Sequence, residues 1–346
     1  MAETKAKIGI IGASGYAGVE LLRLLHNHSY AQVVGISSVS FEGKSIDQLF
    51  PNLRGIEEGL LTDEDQVILA ADVIFTAVPH GVAENIAVKC LEQGKICIDL
   101  GADFRLDDEE AYAQWYGKNY DAPAIHTQAV YGLPELFREQ IVGKKLVGNP
   151  GCYPTASGLG LAPVLKKLGA LPVVIDAKSG VTGAGRSLSE NTHFPNANEN
   201  FSPYKVAAHR HIPEIEQTLS TISGEEVRIT FVPHLLPVNR GILATCYVDL
   251  PEKYRGEEIQ SWYQEFYQGE RFVRVLPIGE TAELKNVKFS NYCDISIHMD
   301  ERTNRLIVVS VIDNMVKGAA GQAIQNMNIV LGYPEETGLL LVPPAF

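Results

Sequence analysis

Apolar positions in the first hundred residues fall into short dense runs, and the stretches between them carry helical spacing. Lys7 to Ile11 is a short apolar strand that runs into Gly12-Ala13-Ser14-Gly15-Tyr16-Ala17-Gly18. Val19, Leu21, Leu22, Leu24 and Leu25 then recur as one face of a helix. Gln32 to Ser37, Val73 to Val78 and Ile96 to Leu100 repeat the strand pattern, with helix-like segments between. Strands alternating with helices predict a parallel sheet of the α/β class. Asp107 to Tyr131 is polar and aromatic without clear period and reads as a long surface connection.

The pattern changes after residue 152. Leu146-Val147 ends a short strand, and Asn149-Pro150-Gly151 is turn chemistry, with Pro154 suited to the first position of a following helix. Val173 to Ala177, Glu226 to Phe231, Leu243 to Asp249, Tyr292 to His298 and Leu306 to Val311 read as longer strands with long loops and few helices, a mixed sheet of an α+β domain. Gly180 to Gly185 is too rich in glycine for a strand. Gly318 to Leu331 is a final apolar helix. The expected organisation is a Rossmann-type domain of residues 1–151 and 314–346, and a central α+β domain of residues 152–313.

Composition narrows the function. A chain of 346 residues that is 45% hydrophobic can bury a sizeable core in two domains. No apolar run approaches the roughly 18 residues of a membrane span, and the charged start Met1 to Lys7 is unlike a signal peptide. A net charge of −13 and the lack of a basic stripe argue against nucleic acid. A small anionic substrate then requires a few local cations in a pocket. Five scattered cysteines with no metal-ligand spacing fit a reduced, cytoplasmic protein without a metal. Cys90, Cys97, Cys246 and Cys293 sit in apolar or strand-like stretches and read as core.

Cys152 is different. Its Gly/Pro frame places the sulfur at a strand-to-helix turn, where unpaired N–H groups and the helix dipole favour an anion. A thiol there is expected to ionise more readily and to serve as a nucleophile. The glycine turn Gly12-Gly15-Gly18 after the first strand is the setting for a dinucleotide pyrophosphate. The second strand ends in Ser37-Ser38 with no acid until Glu42, which favours NADP(H), with Lys44 the nearest cation. His209-Arg210-His211-Ile212-Pro213-Glu214 offers a proton-transfer imidazole, and Glu214 is close enough in sequence to orient it. Arg105, just past a strand end, suits a substrate carboxylate.

Taken in order, Gly12–Gly18, Ala77–Gly81, Asp99–Arg105, Tyr131–Glu135, Gly148–Thr155, Ser179–Arg186, His209–Glu214, Pro233–Pro237 and Lys317–Gln322 resemble the N-acetyl-γ-glutamyl-phosphate reductase family, relatives of aspartate-semialdehyde dehydrogenase. Val39-Ser40-Phe41-Glu42 departs from it, lacking the arginine that many members carry there. The resemblance implies arginine biosynthesis: NADPH-dependent reduction of an acyl phosphate through a Cys152 thioester, with His211 as acid/base and a central domain that also makes a homodimer or homotetramer. It implies substrate contacts at Arg105, Asn149, Ser179, Arg186, His209 and Glu214. Cofactor contacts are implied at Gly12, Ser14, Gly15, Tyr16, Ala17, Gly18, Ser37, Ser38, Pro79, Ser179, Gly180, Gly183, Asn314, Lys317 and Gly318. Reductases of aspartyl phosphate or carrier-bound α-aminoadipyl phosphate share the cysteine and the fold. A dinucleotide-binding regulator with an inert Cys152 is a further alternative.

Overall fold

A computed structural model describes residues 5–345. Met1 to Thr4, part of the charged start of the chain, lie outside the described residues, as does Phe346. The chain divides into two compact units, Met1–Pro150 with Ala319–Leu340 and Gly151–Gly318 with Leu341–Phe346.

The first unit holds β1 (Ala6–Ile11), β2 (Ala31–Ser37), β3 (Leu61–Thr62), β4 (Val73–Thr76), β5 (Ile96–Asp99), β6 (Ala129–Tyr131) and β7 (Leu146–Gly148). Its helices are α1 (Tyr16–Leu25), α2 (Ile46–Leu49), α3 (Glu64–Ala70), α4 (Ala83–Glu92), α5 (Glu109–Tyr116), α6 (Pro123–His126) and α7 (Pro134–Ile141). The strands form one sheet in the order β3-β2-β1-β4-β5-β7-β6, with every pairing parallel. All four residues of β4 are buried, as a sheet covered on both faces requires, which is why its strands read as unbroken apolar runs. The chain leaves β1 toward β2 on one side and returns at β4 on the other. Loops after β1 and β4 therefore meet at the switch point where open α/β sheets take ligands.

The long connection expected over Asp107 to Tyr131 contains α5, α6 and β6 instead. Asp108 caps α5 by accepting the Glu110 N–H at 2.9 Å, and Gly117 ends it in the left-handed conformation at φ 70°. Capping and the burial of Tyr112, rather than an apolar stripe, make this helix.

The second unit contains α8 (Cys152–Leu168), β8 (Val173–Gly180), α9 (Phe194–Ala197), β9 (Ser202–Pro203), α10 (Ile212–Ser223), β10 (Ile229–Leu236), β11 (Ile242–Asp249), α11 (Gly256–Phe266), β12 (Val273–Val275), β13 (Cys293–Asp300) and β14 (Arg305–Ile312). Its mixed sheet runs β12-β13-β14-β11-β8-β10-β9. Helix α8 packs on β11 and β14 and is flanked by α10 and α11. Gly160 allows this approach, since a Cβ there would stand 3.0 Å from the Ser310 Cβ. Pro163 inside α8 lacks the N–H that would bond the Leu159 carbonyl, and the Tyr267 hydroxyl donates to that carbonyl instead. The final helix, α12 (Gly321–Leu331), belongs to the first unit.

Two strands differ from expectation by three residues or more at an end. The run expected at Glu226 to Phe231 is β10 at Ile229–Leu236, which continues through Pro233. The Pro233 carbonyl accepts from Tyr204 N, so its missing N–H falls on the short β9 side and breaks no bond to β8. Strand β8 extends to Gly180, and a 3₁₀ turn, Val181–Ala184, follows.

Candidate active site

Helix α8 starts at Cys152, with Gly151 as its N-cap residue in extended conformation (φ −68°, ψ 157°) and no side chain capping it. Pro154 is the third residue of the helix rather than the first. It still costs no hydrogen bond, because the first-turn N–H groups have no intrahelical acceptor. Cys152 is half-buried, while the other four cysteines are buried. No acidic residue of α8 itself lies in the first turn. Gly318 borders the sulfur-bearing residue: a Cβ at that position would lie 2.7 Å from the Cys152 Cβ.

The second half of the site comes from the start of α10, whose N-cap residue is His211. The ring of Tyr153, next to Cys152, meets the rings of His209 and His211 edge-on at 5.5 and 5.9 Å. His209 and His211 lie 4.8 Å apart. The His211 N–H donates to His209 Nδ1 at 3.1 Å, which leaves the His209 proton on Nε2. Burial, helped by Lys205 and Arg210, pushes His209 down to about 4, so it is neutral at ordinary pH. The Tyr153 and Tyr204 hydroxyls are 3.0 Å apart, and burial raises the pKa of both. Sequence reasoning missed this tyrosine pair. Its one signal was the position of Tyr153 beside the cysteine at a helix start.

Glu214 is wholly buried, and its Oε1 accepts the Gly151 N–H at 2.8 Å. Glu214 is expected to orient an imidazole or hold the substrate, and this bond ties it to the backbone ahead of Cys152. The Ser179 hydroxyl is buried and donates to the Gly180 carbonyl at 3.0 Å. Gly183 lies beside it, its would-be Cβ 3.0 Å from Ser179 Oγ. Gly180 is required by the close approach of Asn239, whose carbonyl would be 2.6 Å from a Cβ. Arg186 is exposed in the loop that follows.

Asn314, expected on the nicotinamide side, is buried. Its Oδ1 accepts from Gly241 N at 2.7 Å and its Nδ2 donates to Thr182 Oγ1 at 3.0 Å. Its amide therefore holds two loops together. Lys317 is fully buried in the π-helical turn Val316–Ala320, its Nζ 5.9 Å from the Phe272 ring centroid, so the amine is not presented to solvent.

In the first unit the glycine turn is built as a cradle. Gly12 and Ala13 donate their N–H groups to the Ser37 carbonyl at 3.1 and 2.9 Å. Gly12 has φ 89°, and a Cβ would lie 2.4 Å from the Ala77 carbonyl oxygen. A Cβ on Gly18 would lie 2.5 Å from the Gly12 carbonyl oxygen. These two glycines are needed by the protein's own backbone. Gly15 is not so confined, its nearest neighbour being 3.4 Å away, and it is the uncapped N-cap residue of α1. The space over Gly15 and the open helix start fit a dinucleotide pyrophosphate. Ser14 Oγ and Ser38 Oγ are 2.7 Å apart, joining the turn to the end of β2, and Ser37 is buried beside them. Tyr16 and Pro79 are exposed and Ala17 is half-buried around this turn.

Arg105 is almost buried, with Nε donating to the Asn149 carbonyl at 2.8 Å and Nη2 to the Leu100 carbonyl at 2.7 Å. Two of its five N–H groups are thereby committed to backbone carbonyls. Asn149 is likewise engaged. Its Nδ2 donates to the Ala319 carbonyl and its Oδ1 accepts from Asn326, both at 3.1 Å. Both residues brace the chain two or three positions ahead of Cys152.

Comparisons with known proteins agree with this division. Family models described as semialdehyde dehydrogenase, NAD binding domain, and semialdehyde dehydrogenase, dimerisation domain, match residues 7–144 and 152–314. Aspartate semialdehyde dehydrogenase II from Vibrio cholerae, complexed with ASA, shares the fold with a TM-score of 0.74 at 14% identity, over 95% of this chain and 99% of that one. The NADP complex of the Candida albicans aspartate semialdehyde dehydrogenase gives 0.70 at 16%, over 94% and 98%. N-acetyl-gamma-glutamyl-phosphate reductase of Clostridium botulinum (strain Alaska E43 / Type E3) is 56% identical over 98% of this chain and 99% of its own. That of Brachyspira hyodysenteriae is 54% identical with the same coverage. The chain belongs to the N-acetyl-γ-glutamyl-phosphate reductase family.

Proposed function

We propose that N-acetyl-γ-glutamyl phosphate is reduced by hydride from NADPH by way of a thioester on Cys152, within the NADP-dependent reductase activity and arginine-biosynthetic role of the family. The observation that carries the mechanism is the placement of a half-buried thiol as first residue of α8, where the next residue, Tyr153, meets the His209 and His211 rings at the start of α10. His211 takes the thiol proton, and the sulfur attacks the γ-carbonyl carbon. The bond from that carbon to the phosphate oxygen breaks, and phosphate leaves with the electron pair. Bound NADPH supplies the hydride that reduces the thioester carbon. Collapse of the resulting tetrahedral species breaks the carbon–sulfur bond, releases the semialdehyde and returns the sulfur to accept its proton from His211. His209, kept neutral, supports His211 through the backbone bond to its Nδ1.

The glycine turn with Ser14, Ser37 and Ser38 forms the cofactor side, the hydroxyl pair suiting the 2′-phosphate. Arg105, with Arg186 and the half-buried Arg210, is the cation set assigned to the anionic substrate. The second unit supplies the thiol and a homodimer or homotetramer contact, in a cytoplasmic enzyme whose cysteines stay free.

Incubating the protein with the acyl phosphate and no NADPH is expected to add one N-acetylglutamyl group to Cys152 by intact mass. Cys152→Ala should take up none and show no turnover while binding NADPH as the wild type does. Turnover in Cys152→Ala would refute the thioester.

A further inference from the structure

Glu214 stands where two helix starts are joined. It lies in the first turn of α10, three residues after His211, the N-cap residue of that helix. A glutamate at this position ordinarily folds back onto the N–H of its own N-cap residue. Here its Oε1 takes the N–H of Gly151, the N-cap residue of α8, at 2.8 Å. The side chain is wholly buried, so the bond is made away from solvent competition. Its backbone is fixed as well, since the Thr218 hydroxyl donates to the Glu214 carbonyl at 2.9 Å. On the α8 side, Thr155 Oγ1 and N both donate to the Gly151 carbonyl, at 2.9 and 3.0 Å. Gly151 is thereby held at both its N–H and its carbonyl, and Cys152 comes directly after it.

We propose that Glu214 is a positioning residue, a strut whose length sets the separation between the Cys152 sulfur and the His211 imidazole. The proposal rests on the assignment of those two groups as nucleophile and acid/base. The strut acts by reach and by one acceptor oxygen, and it does not touch the substrate. A glutamine has the same reach and keeps an acceptor oxygen. An aspartate keeps the charge but is one methylene short of Gly151. An alanine keeps neither.

The test compares steady-state kinetics of Glu214→Gln, Glu214→Asp and Glu214→Ala, with NADPH affinity measured by fluorescence. The aspartate and alanine enzymes should lose about 10²-fold in kcat, the size of effect that ångström-scale misplacement of reacting groups produces. Their substrate KM and NADPH affinity should stay within about threefold of wild type, because the defect is one of alignment. The glutamine enzyme should lose no more than about tenfold. Should the alanine variant fail to fold, the ratio of the glutamine to the aspartate enzyme decides alone. An aspartate enzyme as active as the glutamine one would overturn the strut in favour of charge. A rise in KM with kcat preserved would overturn it in favour of substrate contact, and a glutamine enzyme as poor as alanine would also sink it. Cys152→Ala, run alongside, reports separately on the nucleophile: turnover in that variant fails the thioester reading whatever Glu214 does.

Discussion

Helix α1 begins at Gly15 and helix α8 at Gly151, each after a turn that follows a buried strand and each without a side-chain cap. At α1 no acidic residue of the helix itself lies in the first turn, and the glycine has room above it. At α8 the first residue is the thiol, the third is a proline with no N–H to give, and a carboxylate from α10 occupies the N-cap N–H. The partial positive charge of a helix start is the same resource in both places. One start is left open, as the binding of an anion requires. The other is filled by the protein's own groups, which fix a sulfur in place.

Replacing His211 acts on the α8 side alone. His211→Asn should lower kcat by about 10²–10⁴-fold, the usual cost of losing a general acid/base, and flatten the pH dependence of the proton-transfer step while NADPH still binds. His209→Asn should keep most of the pH profile, because His209 is held near 4 by burial and by Lys205 and Arg210, and so does not titrate at working pH. A reversed order of damage in the two pH–rate profiles would exchange their roles.

The α1 side is probed by placing a carboxylate where Ser38 meets Ser14. Ser38→Asp should lower the preference for NADPH over NADH by about 100-fold, since like charges brought together cost several kcal/mol. The rate of Cys152 alkylation by iodoacetamide should not change. A wild type that favours NADH would remove the basis of the serine argument.

The smallest effect concerns stability beneath the cradle. Burial, then Asp103, pushes the Asp99 carboxyl up to about 6, and one of its oxygens is buried without a hydrogen bond. Folding thus favours the protonated acid. That contribution is full below 3.8 and is lost as pH rises through about 6. Asp99→Asn should therefore raise Tm by about 2–4 °C at pH 8 and by nothing at pH 3.5. A lower Tm at pH 8 would mean that the ionised form is used by the fold.

Much of this was legible in the residues. The doubly covered sheet wrote itself as apolar runs such as Val73 to Thr76, and the Gly/Pro frame marked Cys152 as lying at a strand-to-helix turn, with the helix expected to start two residues later at Pro154. Helix α5 escaped because its only marks are the Asp108 cap and Gly117, while its exposed face is polar. Strand β10 runs past its expected end at Phe231, because Pro233 faces β9, two residues long, a pairing that the local pattern does not show. Motif membership also concealed different jobs. Asn149, Asn314 and Arg105 stand in or beside recognisable runs, yet their polar atoms are engaged by backbone groups or other side chains, a matter of three-dimensional partners that spacing does not encode.

Asp103 carries a consequence for genetics. Its carboxylate gathers the Gly81 and Ala83 N–H groups and the Tyr112 hydroxyl, at 2.6, 2.9 and 2.8 Å, and so joins three segments of the first unit. A screen for cells unable to grow without arginine would recover lesions at Asp103 and at Cys152 as the same phenotype. Immunoblots should tell them apart: the Asp103 lesion is expected to lower the amount of polypeptide in the cell, and the Cys152 lesion to leave it at its usual amount.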